Sequence, residues 1–175
     1  QVIPAITNSV AERPPVLDSP WFAIHVLALL CAYASFALAC VVGVTYVLLF
    51  KELKAKHLGF FYARLPSLQV LDLMNSRAVA VGWFFLTLGL VVGAVWLLQV
   101  QSSTADPRVQ AMSVFDPKIF TVLLCWVVYS FALYARRSIG WSGRRAAILS
   151  AFGFTVLLLN FVPVSYFVTE SHNFY

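Results

Sequence analysis

The sequence predicts an all-α fold, an integral membrane bundle of four transmembrane helices with both termini on the periplasmic, outer face. Three observations lead there. The 175 residues are 61% hydrophobic and 11% charged, with a mean hydropathy of +0.85, whereas a soluble globule carries roughly 25% charged residues. The chain also divides into four stretches almost free of charge, on the scale of the roughly 20 residues that a helix needs to cross a bilayer core. Finally, nine of the twelve basic residues fall in just two connectors, the asymmetry that orients membrane helices. A soluble enzyme of this length could not cover itself with so few polar groups. A membrane barrel would need repeated short segments of apolar–polar alternation, which the sequence lacks.

Residues 1–20 (QVIPAITNSVAERPPVLDSP) contain four prolines and no helical pattern. They are expected to run extended along the outer surface and do not read as a signal peptide, because no basic-then-apolar segment precedes them. The remainder, 21–175, is expected to be one membrane domain. Its first span is 21–50, uncharged apart from His25 near its beginning. Connector 51–77 follows, with Lys51, Lys54, Lys56, Arg64 and Arg77 against Glu52 and Asp72. Within it, 66–78 (PSLQVLDLMNSRA) reads as an interfacial amphipathic turn or two leading into the second span, 79–100. The third span, 118–136, begins where Asp116 and Pro117 form a helix start, with Asp as cap and Pro at the first position. A tight hairpin with Gly140, Gly143 and four arginines (Arg136, Arg137, Arg144, Arg145) precedes the fourth span, 146–169. The positive-inside rule puts both basic connectors in the cytoplasm. The net charge of +5 therefore reflects insertion, with the lipid bilayer as the partner and no nucleic acid.

Inside the spans polar residues are few, and no carboxylate lies mid-membrane, so a proton pump lacks its usual relay. Gly82, Gly89 and Gly93 share nearly one face of the second span; they suit close helix contact and would equally let a flat macrocycle approach. Cys31, Cys40 and Cys125 all fall in apolar runs and are expected as small buried thiols at helix contacts.

The three histidines are the most informative residues. His57 sits among lysines in a cytoplasmic connector and reads as a solvated side chain. His25 opens the first span and His172 follows the fourth, so the topology brings them to the same outer face. Each alone reads as an interfacial polar residue. As a pair they suggest a bis-imidazole site, since imidazole is a strong axial ligand for haem iron. Tyr33 would line the slot or donate a hydrogen bond. Arg108 and Lys118 are the outer-loop cations near the mouth; they could pair with haem propionates or serve as ordinary solvated charges. Nothing assembles a base, a nucleophile and an oxyanion donor, so no catalytic residue is assigned.

Several segments resemble the cytochrome c assembly family of haem-handling membrane proteins, which includes the CcsA, CcmC, CcmF and HemX types. They are IHVLALLCAYASFALA (24–39), with a histidine opening a helix, LPSLQVLDLMNSRAVAVG (65–82), the arginine-ended WVVYSFALYARRSIGWSGRRAA (126–147), and the terminal SHNF (171–174). The resemblance covers roughly 20–175 and implies that His25 and His172 ligate one low-spin haem b near the outer face. Two departures stand out. Of the family's tryptophan-rich loop only VFDPKI (114–119) remains similar, with Phe115 where tryptophan is expected and Ile119 where glutamate is. The membrane-embedded histidine of the third helix corresponds to Tyr134, a poor ligand for low-spin haem.

These losses leave three readings. The first is a bis-histidine haem b subunit for electron transfer in a larger membrane complex, with other membrane subunits and a cytochrome or redox protein on the outer face as partners. The second is a cytochrome c maturation or haem-handling protein; the third is a haem-free structural subunit. Without the tryptophan loop the haem-presenting surface is missing, and a closed bis-histidine haem suits one-electron transfer, which places the electron-transfer subunit first, with no catalytic activity of its own expected. The chain is also short for a complete synthetase, which favours a subunit. A bacterial inner membrane is expected ahead of an organellar one.

Overall fold

The computed structural model describes residues 19–56, 65–103 and 117–167, with side chains over 19–56, 65–100 and 119–158. These residues form four long helices: α1 (Pro20–Lys54), α2 (Leu68–Ser103), α3 (Pro117–Tyr134) and α4 (Arg144–Phe167), with a π-helical turn, Ala135–Ile139, continuing α3. The all-α bundle expected from the sequence is present. α1, α2 and α3 with its π-helical turn are each long and apolar enough to cross a membrane. The residues 1–18 expected to run extended lie outside the described residues.

Local sequence explains where the helices begin and end. α1 starts at Pro20, which has no N–H to leave unsatisfied in the first turn, and ends with Lys51 and Lys54 beside its exposed carbonyls. α2 starts at Ser67, whose Oγ accepts from the Val70 N–H at 3.4 Å. It then continues as one 36-residue helix, so the segment expected as a separate interfacial turn is fused to the membrane helix. No proline or glycine interrupts it between Pro66 and Gly82. At about 1.5 Å per residue such a helix is well over the roughly 30 Å of a hydrocarbon core, so its first turns project beyond the span. Gly140, at φ +74°, ends the π-helical turn, and the Trp141 N–H reaches back to the Ala135 carbonyl at 3.0 Å.

The helices form a ring, α1 against α2 and α4, and α3 against α4 and α2. Outward faces are as apolar as the interior: Leu27, Val41, Phe84, Leu98 and Phe120 are each at least 60% exposed. In water that would be an aggregation surface; against lipid chains it is the expected one. Cys31 belongs to this outward face, contrary to the expectation of a buried thiol, whereas Cys125 is buried and Cys40 half-buried. With no hydrophobic force between helices in lipid, cohesion depends on close packing and interhelical hydrogen bonds.

Both are present. At mid-bundle Phe36 of α1 stacks on Tyr129 of α3, with centroids 3.8 Å apart and planes at 3°. Glycines flank the pair, Gly82 of α2 against Phe36 and Gly153 of α4 against Tyr129; a Cβ at either would lie within 3 Å of a ring atom. α2 and α3 are joined by a reciprocal clasp. The Trp83 indole N–H donates to Ser130 Oγ at 2.8 Å, and that of Trp126 donates to Thr87 Oγ1 at 2.9 Å. Each hydroxyl in turn donates to the carbonyl of the tryptophan four residues earlier in its own helix. Trp126→Phe, which keeps an aromatic ring and removes the donor, is expected to cost about 1 kcal/mol, read as a shift in a detergent-unfolding midpoint.

Among the described side chains the basic residues gather at one end. Asp72, in the second turn of α2, accepts both Arg136 guanidinium nitrogens at 3.0 and 2.9 Å and the Gly143 N–H at 2.8 Å. One carboxylate thus ties α2 to the end of α3 and the start of α4. Gly143 has φ +63°, and a Cβ there would meet the Tyr46 hydroxyl at 2.6 Å. Arg144 lies over Phe50 and Arg145 over Trp141, each under 6 Å from the ring centroid. A buried contact between Ser150 Oγ and Asn75 Oδ1, at 2.9 Å, joins α4 to α2 one turn further in.

Candidate functional site

The opposite end of the α1–α2 seam carries the candidate site. His25, in the second turn of α1, is half-buried against α2. Its Nδ1 lies 2.7 Å from the backbone carbonyl oxygen of Gly89. The ring rests on Gly93, one helical turn on, where a Cβ would fall 2.5 Å from both Cε1 and Nδ1. Gly89 packs on Ala28 and Leu29. The glycine stripe read from the sequence therefore does bring helices close, and one of its positions is the seat of an imidazole.

The next turn outward is aromatic. Phe22 of α1 packs on Trp96 of α2, with centroids 5.3 Å apart. Trp96 is 8% exposed, and its Nε1–H is buried without an acceptor among the described residues. A buried donor left unpaired costs about 1–3 kcal/mol, so a group that supplied an acceptor there would be favoured. Tyr33, two turns further into the bundle, is half-buried beside the central cluster of Ala32, Phe36, Cys125 and Tyr129.

His172, His57 and Arg108 lie outside the described residues, as does the side chain of Lys118. The structure therefore places one histidine of the expected pair. Tyr134, at the position of the family's embedded histidine, is 60% exposed and turns away from the core. Among the described residues no group of three or more His, Cys, Asp or Glu is gathered as a metal cluster; axial ligation of a haem does not call for one. The residues present fit a haem: an imidazole fixed through one nitrogen, a glycine-lined seat, and an unpaired indole donor beside it. Sequence reading passed over the Gly89 carbonyl and Trp96. Spacing gave a signal for Trp96 alone, since His25–Phe22 on one helix and Gly93–Trp96 on the other are each three residues apart, and residues three apart share a helix face.

An apolar helical bundle with a cationic end and an imidazole at the other end is a multi-pass membrane protein. The chain belongs to the cytochrome c assembly protein family, whose model matches residues 1–171. It is 27% identical over 197 residues to the cytochrome c biogenesis protein CcsA of Prochlorococcus marinus (strain MIT 9303), covering 98% of this chain and 59% of that protein. It is 29% identical over 175 residues to CcsA of Chlamydomonas reinhardtii, with 98% and 45% covered. To CcsA of Guillardia theta it is 26% identical over 187 residues, with 98% and 60% covered. The chain thus spans about three fifths or less of the length of these curated relatives. No solved structure matches it.

Of the readings the sequence left open, these relatives favour cytochrome c maturation over an electron-transfer subunit. They also correct the expected location. Two of the organisms, Chlamydomonas reinhardtii and Guillardia theta, are eukaryotes, so an organellar membrane does not rank below a bacterial one.

Proposed function

We propose that the chain handles haem at the outer face of its membrane during cytochrome c maturation. On this reading all four helices span the bilayer, the cationic end around Asp72, Arg136 and Arg144 faces the cytoplasm, and both termini lie outside with His25. His25 and His172 would hold a haem b through their imidazoles. The observation that carries the proposal is the fixed imidazole of His25 at the end away from the cationic cluster, in a chain of the cytochrome c assembly family. When bound, haem would supply the vinyl groups that an apocytochrome's cysteine thiols take up.

The chain's own residues supply the rest. Gly89 and Gly93 hold His25, and Phe22 with Trp96 gives an apolar wall that excludes water. The unpaired Trp96 N–H offers a donor to a carboxylate of the ligand. The clasp between Trp83 and Trp126 keeps α2 and α3 in register beneath the site. Partners are membrane-embedded proteins of cytochrome c biogenesis, together with the apocytochrome that receives the haem.

Disrupting the gene in its own host tests this. The expected result is loss of covalently attached haem from all c-type cytochromes, read on haem-stained gels and restored by the wild-type gene. Intact c-type cytochromes with a defect confined to one respiratory or photosynthetic complex would contradict it.

A further inference from the structure

We infer that Gly89 and Gly93 are positioning residues for His25. The Gly89 carbonyl selects the imidazole tautomer protonated at Nδ1, and Gly93 seats the ring, so that Nε2 is the nitrogen presented to an iron porphyrin. The role toward haem rests on the function proposed above; the tautomer rests on geometry alone.

A carbonyl oxygen can only accept a hydrogen bond, and it lies 2.7 Å from Nδ1, so Nδ1 carries the proton. A neutral imidazole has one N–H, which leaves Nε2 with a lone pair in the ring plane. That is the form needed for an axial bond, and a hydrogen bond at the far nitrogen fixes the ring's direction and raises its basicity. The acceptor belongs to helix backbone rather than to a mobile side chain, so the ring cannot turn without breaking a part-buried bond. Gly93 completes the seat. Any Cβ there would press on the bonded edge of the ring itself, at Cε1 and Nδ1. A Cβ at Gly89 would instead meet the tip of Leu29, a flexible side chain, and would leave the carbonyl in place. The two glycines of one GxxxG pair therefore have separable roles, which the sequence pattern alone does not distinguish.

The test uses the full chain in detergent micelles and begins without haem. In ¹⁵N NMR with labelled histidine, at a pH where the ring is neutral, His25 should show a protonated Nδ1 and a bare Nε2. A signal for Nε2–H would overturn the inference whether or not haem binds. Titration with haemin comes next: Gly93→Ala should bind about 10–100-fold more weakly than wild type, the usual cost of losing an outer-shell partner. Gly89→Ala, which retains the carbonyl, should stay within about threefold of wild type by the same comparison. Equal binding by Gly93→Ala and wild type would overturn the seating role.

His25→Gly guards against a merely structural effect. Added imidazole should restore its haem spectrum, since one nitrogen can take the iron while the N–H donates to Gly89. 1-Methylimidazole, which has no N–H, should restore it at least about tenfold less well. Equal rescue would overturn the carbonyl's role. A wild-type chain that takes up no haemin would sink the haem reading instead, and the NMR result would still decide the tautomer.

Discussion

Replacing His25 with alanine is expected to strip haem from the purified chain, lowering haem per protein by more than the roughly 10–100-fold that loss of an outer-shell partner costs at a metal site. The reason lies in how the residue is held. His25 is half-buried, bonded through Nδ1 to the Gly89 carbonyl and seated on Gly93. The order of the site is thus spent on presenting one nitrogen, and alanine removes that nitrogen while leaving the seat empty. His172→Ala should produce a comparable loss, because a low-spin haem needs both axial positions filled. His57→Ala should leave haem content unchanged, since His57 follows Lys54 and Lys56 in the sequence, beyond the end of α1 that lies away from His25. The check is pyridine haemochrome per milligram of protein for the three variants side by side. Equal losses in all three would mean that haem is lost through general instability rather than through the ligands.

The second large effect is expected at the other end of the bundle. Asp72→Ala should destabilise the chain by about 2–3 kcal/mol, measured as a shift in the detergent-unfolding midpoint. The carboxylate accepts three hydrogen bonds from two different segments, two from Arg136 and one from the Gly143 N–H. Removing it leaves a guanidinium and a backbone N–H without acceptors at the junction of three helices. The side chains of Arg136 and Asp72 are 27% and 18% exposed, so water recovers part of the loss, and the effect stays below that of a fully buried pair. Asp72→Asn should lose less than Ala, because its amide oxygen can still accept from Gly143. A cost for Asp72→Ala below about 0.5 kcal/mol, the range of ordinary surface ion pairs, would show that the clasp does not hold the cationic end together.

Much of the architecture was legible because charge is scarce. With only nineteen charged residues, twelve basic and seven acidic, the gaps between them mark the helices. Boundaries were less legible. α2 runs eleven residues further back than the apolar span suggested, because an amphipathic segment such as 68–78 continues a helix wherever no breaker intervenes. Outward and inward faces were also hidden. In lipid both are apolar, so Cys31 and Cys125 look alike in sequence, yet one faces out and the other is buried.

The candidate site was half legible. The position of His25 at the head of a span marked it as a candidate ligand, and the glycine stripe marked a close approach. That the two meet depends on the relative rotation of α1 and α2, which a single helix pattern does not encode. The Trp83–Thr87 and Trp126–Ser130 clasp was written in the chain as two matching i, i+4 pairs. It becomes visible as a device when the helices face each other. Apart from its spacing, Trp96 carried no signal of its own in the sequence, and its N–H is buried without an acceptor among the described residues. Maturation and electron transfer use the same axial chemistry, so the histidines could not separate them; the relatives favour maturation.

The claim that matters most is that this bundle holds haem through His25. An absorption spectrum of the full chain, purified in mild detergent from its own membrane, tests it most directly. The expected result is a sharp reduced α band of low-spin haem b that His25→Ala abolishes and His57→Ala leaves intact. A wild-type chain that is folded and helical by circular dichroism but carries no haem, and takes none up from added haemin, would contradict it.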